Sequence, residues 1–346
     1  MEKVASKERD MSVDIAKGAA ILCVVAGHAS FPLTLWVNVY SFHMAFFFII
    51  AGFFISLNNG YFKFILSKFL RLTVPFYAYF FFCAVVCLLF CKEKLPQDFF
   101  SVRILLQDPF DRNGTFPLIH PLWFVNALFG GMVLFAVFHR AFAKLSGGIS
   151  WVLKIVLLMI TGQLVVEAQT FLNANSPWLP LFRGVIAACL LGIGYIGWRE
   201  REKWNNSTVC FVAAYIFLGI LWRFTPNYVM AQHTYDSGFA KHLFMLCSVC
   251  GFIAVFGVCK TIERIPVLSD FLLLCGKNSF TLMALHMSVF ELIPERLVID
   301  LLGTWFSKSL LFAAGVIVPL AIGILTDRLR RLKTPVKKFL CPGISE

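Results

Sequence analysis

Acidic side chains are scarce in this chain: 19 Asp and Glu stand among 346 residues, and charged residues of either sign make up only 14%. Soluble domains carry about 25% charged residues. The deficit is filled by apolar residues, 59% of the chain with 39 Phe, more than a soluble core of this length conceals. A water-soluble globular fold is excluded, and a polytopic membrane protein is expected. A clean A-x-A cleavage site is also missing behind the basic N-terminus, so the first apolar run reads as a retained span rather than a removed signal. Internal repeats are absent, and the longest loop, 92–121, is too short to fold alone. Metal-ligand spacing is lacking too. Cys83, Cys87 and Cys91 recur every four residues and Cys247 and Cys250 form a CxxC, but no His or carboxylate accompanies them. They read as small packing residues; no metal and no disulfide framework are expected.

The formal net charge of +12 would suggest nucleic acid in a soluble protein. Here the cations fall in short loops and at the C-terminus, where they set orientation and meet lipid headgroups, so no nucleic acid is expected. Apolar windows of about 20 residues occur about ten times. The predicted spans are 15–36, 40–57, 72–91, 122–138, 149–166, 183–198, 208–223, 242–259, 271–291 and 308–326. Cations collect in alternate loops, as in Lys63, Lys68 and Arg71, in Arg140 and Lys144, and in the tail from Arg328 to Lys338. The fold class is therefore all-α, a transmembrane helical bundle with both termini cytoplasmic by the positive-inside rule. One integral-membrane domain is expected over 1–346, its basic cytoplasmic tail being 327–346.

Within this apolar background one stretch is chemically loaded. Residues 14–29, DIAKGAAILCVVAGHA, carry Asp14 and Lys17 near the start and His28 near the far end. The eleven steps from Lys17 to His28 are nearly a whole number of turns, so both lie on one stripe about 16 Å apart along the axis. Asp14, three residues before Lys17, falls close to the same stripe. Such groups are costly against lipid and are expected to face protein or water, where they usually have a function. With the spans so placed, His28, His43, His120 and His286 converge on the outer half of the membrane, and Ser279 lies seven residues before His286 on nearly the same face.

Neutral imidazole is the usual general base for a hydroxyl, and His28 is the candidate because Lys17 shares its stripe. His43 and His120 stand at span starts, where interfacial anchoring is an equal account. His139, His233 and His242 lie in loops or at span ends and are read as structural. Lys63, Lys68 and Arg71 suit the phosphates of a donor such as coenzyme A, or are plain topogenic charge. Trp123 near the outer surface suits stacking on a sugar ring, or belongs to the aromatic belt.

Taken together, the motifs resemble the acyltransferase-3 family of integral-membrane acyltransferases. Asp14-Ile-Ala-Lys17-Gly18 followed by Gly27-His28 resembles its first span, where a basic residue precedes a histidine by ten intervening positions. Phe42-His43-Met44, Phe46-Phe47-Phe48 and Gly52 resemble the "FHMPLFF…SG" segment, with Ala45 in place of proline and Ala51 in place of serine. Arg71-Leu72 with Pro75 matches "RL…P", Leu122-Trp123-Phe124 with Leu128-Phe129 matches "LWF…LF", and Gly276, Asn278, Ser279 and His286 match "G-x-N-S…H". The fucose 4-O-acetylase-like branch is the most similar.

This resemblance implies transfer of an acyl group, usually acetyl from cytoplasmic acetyl-coenzyme A, to a hydroxyl of a cell-surface or envelope glycan or lipid-linked sugar. His28 is then the expected base, Lys17 oriented by Asp14 the donor or charge-stabilising group, and His286 a further catalytic candidate. Donor contacts are expected from Lys63, Lys68, Arg71, Asn278 and Ser279, and acceptor contacts from His43, His120 and Trp123. The expected location is a bacterial inner membrane. Two other classes remain: a proton-coupled secondary transporter relaying protons through Lys17, His28 and His286, and a non-catalytic membrane scaffold. Against the transporter, no pair of Gly/Pro-interrupted segments occupies corresponding halves of the chain.

Overall fold

Out of water, a backbone must close its hydrogen bonds within itself, so long uncharged runs of Leu, Ile, Val and Phe fold as helices. The computed structural model describes residues 10–31, 39–58, 60–90, 121–145, 148–169, 171–172, 178–204 and 240–340, with isolated positions between 208 and 235. Its helices are α1 (Met11–His28), α2 (His43–Phe53), α3 (Tyr61–Phe90), α4 (Trp123–Leu145), α5 (Trp151–Gln169) and α6 (Leu179–Arg199), then α7 (Phe244–Ile262), α8 (Pro266–Lys277), α9 (Ser279–Leu292), α10 (Glu295–Leu302) and α11 (Thr304–Leu340). Among the described residues, seven helices are long and apolar enough to cross a membrane: α1, α3, α4, α5, α6, α7 and α11. The sole strand pairing among them is a two-residue antiparallel ladder, Tyr228–Val229 with Thr234–Tyr235.

Several predicted boundaries are corrected. The first span ends at His28 rather than at 36. The second is an 11-residue helix, about 16 Å long and half a bilayer, and it survives at that length because nine of its residues are buried by neighbouring helices. Of the basic segment 58–72, predicted as a loop, residues 61–72 form the first turns of α3, which continues through Pro75. Its long cationic side chains lie along an apolar helix with their charges at the end, which a hydropathy window penalises but a helix tolerates. The predicted span 271–291 is two helices broken at Asn278, whose backbone leaves the helical region (φ −102°, ψ 14°) while its side-chain amide donates to the Leu274 carbonyl at 2.9 Å. Finally, the predicted tail continues α11 to Leu340 instead of leaving the helix at 327. The predicted span 208–223 lies largely outside the described residues.

Helix α1 is the axis of the bundle. It packs on α2, α7, α8, α9 and α11, and 67% of its apolar window is buried against 11% for the peripheral α5. Two glycine crossings allow the close approach. A Cβ on Gly18 would overlap the Leu272 carbonyl oxygen of α8, and one on Gly276 would overlap the Asp14 carbonyl oxygen of α1. Helices α2 and α6 cross in the same reciprocal way, Gly52 against Leu191 and Gly194 against Ile49. Without a hydrophobic drive between helices in lipid, such backbone proximity is a main source of association.

A chain of contacts defines one end of the bundle. The Lys17 ammonium lies over the Phe54 ring at 5.7 Å, Phe53 stacks on Trp198 at 4.4 Å, His139 meets Tyr195 at 5.3 Å, and the Arg140 guanidinium lies over Tyr61 at 4.9 Å. Lys260 over Phe256 adds α7 to this basic end. Replacing Gly276 by leucine should destabilise the protein by at least the ~1–3 kcal/mol of overpacking, because backbone rather than a side chain is in the way. A detergent melting curve unchanged in Gly276→Leu would show that the α1–α8 crossing is not tight.

Candidate functional site

At the end of the bundle opposite Lys17, α1 stops in a Schellman motif: the Phe31 amide donates to Ala26 at 2.9 Å and the Ser30 amide to Gly27 at 3.1 Å. Ser30 takes the left-handed position at φ 49°, where glycine is usual. His28 is thus the last helical residue, and its side chain is exposed. Its ring lies 5.2 Å from His286 of α9 and 6.3 Å from Tyr40, which in turn lies 5.1 Å from His43 at the start of α2. Tyr40 reaches this place because Gly27 has no side chain: a Cβ there would stand 3.2 Å from the phenol.

The two inner histidines are buried, His43 at 3% exposure and His286 at 0%. Each hydrogen-bonds through Nδ1 to a carbonyl four residues earlier, His43 to Val39 and His286 to Leu282 at 2.8 Å. A carbonyl only accepts, so Nδ1 carries the proton and, in the neutral ring, Nε2 carries the lone pair. His286 Nε2 is buried with no hydrogen-bond partner among the described residues. The cluster therefore consists of an exposed imidazole at a helix end, backed by a buried imidazole with a fixed tautomer and an unfilled acceptor. His28, His43 and His286 thus lie together at one end of the bundle; His120 lies outside the described residues.

Toward the basic end of α1, Asp14 is buried and its Oδ1 pairs with Lys17 Nζ at 2.5 Å. Lys17 and His28 belong to one helix, Lys17 in its first half and His28 at its last residue, about 16 Å apart along the axis at 1.5 Å per residue. Lys63 and Arg71 are exposed on the first turns of α3, and the Lys68 ammonium rests over Phe64 at 5.4 Å. They share the basic end with Lys17, and among the described residues no ion pair or ring contact joins them to it. Asn278 is engaged in its own turn and packed so closely on Gly323 that a Cβ there would overlap its Oδ1. Ser279 opens α9, half-buried.

Two residues of this region lie outside the sequence-based candidates. Tyr40 carried no signal, because only folding places it between two histidines. Arg183 of α6 is 4% exposed, with its guanidinium 5.7 Å from the ring of Trp123. The signal was a lone cation at the edge of an apolar run, which a span beginning at 183 treats as interfacial. Two cysteines of the predicted span three pack as expected: Cys83 and Cys87 are fully buried, Cys83 Sγ standing 3.2 Å from Ser288 Oγ of α9, while Cys91 lies outside the described residues.

Replacing Ser30 by glycine should relieve the left-handed strain, a gain of about 0.5–1 kcal/mol after the entropy of the unfolded glycine is subtracted. A raised melting temperature is expected in Ser30→Gly; a lowered one would show that the hydroxyl itself holds the turn.

Comparison with known proteins agrees with this geometry. No curated protein and no solved structure matches the chain. The acyltransferase-3 family model, described as an acyltransferase domain, matches residues 11–328, a stretch that begins with α1 and takes in Lys17, His28, His43 and His286. The apolar helices and this match together identify an integral-membrane acyltransferase, and the chain belongs to the acyltransferase-3 family.

Proposed function

We propose that this acyltransferase moves acetyl from cytoplasmic acetyl-coenzyme A to a hydroxyl of an envelope glycan, in a bacterial inner membrane, with His28 as general base. The observation that carries the reading is the exposed His28 ring 5.2 Å from a buried, tautomer-fixed His286. His28 takes the proton of the acceptor hydroxyl as its oxygen bonds to the thioester carbonyl carbon. The tetrahedral intermediate collapses with cleavage of the C–S bond, and the thiolate leaves with the proton from His28. His286 Nε2 supplies the acceptor that steadies His28 while it carries the extra proton, so His286 is a positioning residue.

The basic end is read as cytoplasmic by the positive-inside rule. Lys17, held by Asp14, then faces the donor's phosphates or pantetheine arm together with Lys63, Lys68 and Arg71 as the outer collar. Ser279 stands between the two ends of α1 as a donor contact, and Asn278 shapes the helix break beside it. On the opposite side Trp123, backed by the Arg183 guanidinium, offers a ring face to a sugar, with His43 near the acceptor path. The family match favours acyl transfer over solute transport.

His28→Ala should lower transfer by about 10²–10⁴-fold while expression and insertion persist. Base-labile O-acetyl groups on extracted surface polysaccharide, read by proton NMR, check this; acetylation equal to wild type would remove His28 from the mechanism. His286→Ala should retain part of the activity with a displaced pH–rate profile, and an unmoved profile would confine His286 to packing.

A further inference from the structure

A cavity of about 300 Å³ opens between α4, α5 and α6, away from His28, His43 and His286. That volume sits at the lower bound of small-molecule sites, which span about 300–1,000 Å³. Its lining changes along the helix axes. Toward the middle of the bundle it is apolar, with Leu134, Leu158 and Val185; toward the basic end it includes His139, Lys154 and Tyr195. His139 is wedged between Phe135 at 5.4 Å and Tyr195 at 5.3 Å, and its buried Nδ1 has no hydrogen-bond partner among the described residues.

More positive charge surrounds this mouth. Arg199 lies 3.4 Å from the Tyr195 ring centre and donates to the Tyr195 carbonyl at 3.0 Å, and Arg140 follows His139 on α4. Among the described residues, no carboxylate pairs with Lys154, Arg140 or Arg199; Glu200, next to Arg199, is taken by Lys203 at 2.6 Å. Helix α5 presents its other side, including Val152, Leu153, Val156 and Ile160, outward. The cavity therefore borders the lipid, with an apolar depth and an uncompensated cationic rim at the level of the headgroups.

An apolar slot with unbalanced cations at its mouth suits a ligand with a hydrocarbon tail and an anionic head. We propose that it binds an anionic phospholipid of the surrounding membrane, one acyl chain filling the slot along Leu158 and the phosphate held by Lys154 beside Arg199. Basic pockets between spans on the cytoplasmic side are where such headgroups are recognised. The acyl donor is a poorer occupant: Lys17 and the histidines belong to α1, α2 and α9, whereas this slot belongs to α4, α5 and α6.

Native mass spectrometry of the purified, delipidated full chain tests this with dioleoyl phosphatidylglycerol and dioleoyl phosphatidylcholine at equal concentration. Phosphatidylglycerol should be retained several-fold over phosphatidylcholine. Leu158→Trp should block retention of both at this site, and Lys154→Gln should erase the preference while elution volume and melting temperature stay at wild-type values. Equal retention of the two lipids by wild type would overturn the proposal, as would a preference that survives Lys154→Gln. One-for-one displacement of phosphatidylglycerol by oleoyl-coenzyme A, lost in Leu158→Trp, would overturn it in favour of an acyl-thioester site.

Discussion

A carboxylate, an ammonium and an imidazole on one membrane-embedded helix cannot all face hydrocarbon, and the architecture follows from that constraint. Helix α1 has to be walled by protein, and five helices supply the wall. The wall comes close because Gly18 and Gly276 let the backbones of α1 and α8 touch where the Asp14–Lys17 pair emerges. That pair is affordable in a low-dielectric bundle because the two charges neutralise each other at contact distance, and because Lys17 keeps part of its surface open, at 20% exposure, beside the Phe54 ring.

The length of α1 then separates two kinds of chemistry. Its basic end holds the Asp14–Lys17 pair, and its other end meets the rings of Tyr40, His43 and His286. The interval is a helix of fixed rise, so the distance between them is set by hydrogen-bonded backbone geometry rather than by side-chain packing. Around the histidine end the backbone departs from regularity repeatedly. Ser30 is left-handed, α2 is a half-length helix, and α8 and α9 part at Asn278. Each departure moves a particular ring. The stop at Ser30 leaves His28 at an open helix end, the short α2 lets His43 begin within the bundle, and the break at Asn278 gives α9 its own direction toward α1. Irregular backbone of this kind is tolerated at membrane depth only where protein surrounds it.

The basic residues of the chain also divide by position. Lys63, Lys68 and Arg71 stand on α3 and Lys17 pairs with Asp14 on α1, whereas Lys154 lines the slot between α4, α5 and α6 and Arg199 lies against Tyr195 in its wall.

Composition was enough to place the chain in a membrane, because so little charge cannot clothe a soluble surface of this size. Periodicity was enough to put Asp14, Lys17 and His28 on one stripe, because 3.6 residues per turn is a property of any helix. The ordered motifs pointed to the acyltransferase-3 family, and the family match over 11–328 agrees. The sequence did not reveal where helices end inside a continuous apolar run, since hydropathy is blind to a Schellman stop at His28 or an amide turned onto Leu274 at Asn278. Nor did it reveal that Tyr40 bridges two histidines, that Arg183 is buried behind Trp123, or that His139 lines a cavity. Those facts depend on which faces of separate helices meet, and only tertiary packing, admitted here by single glycines at the crossings, decides that.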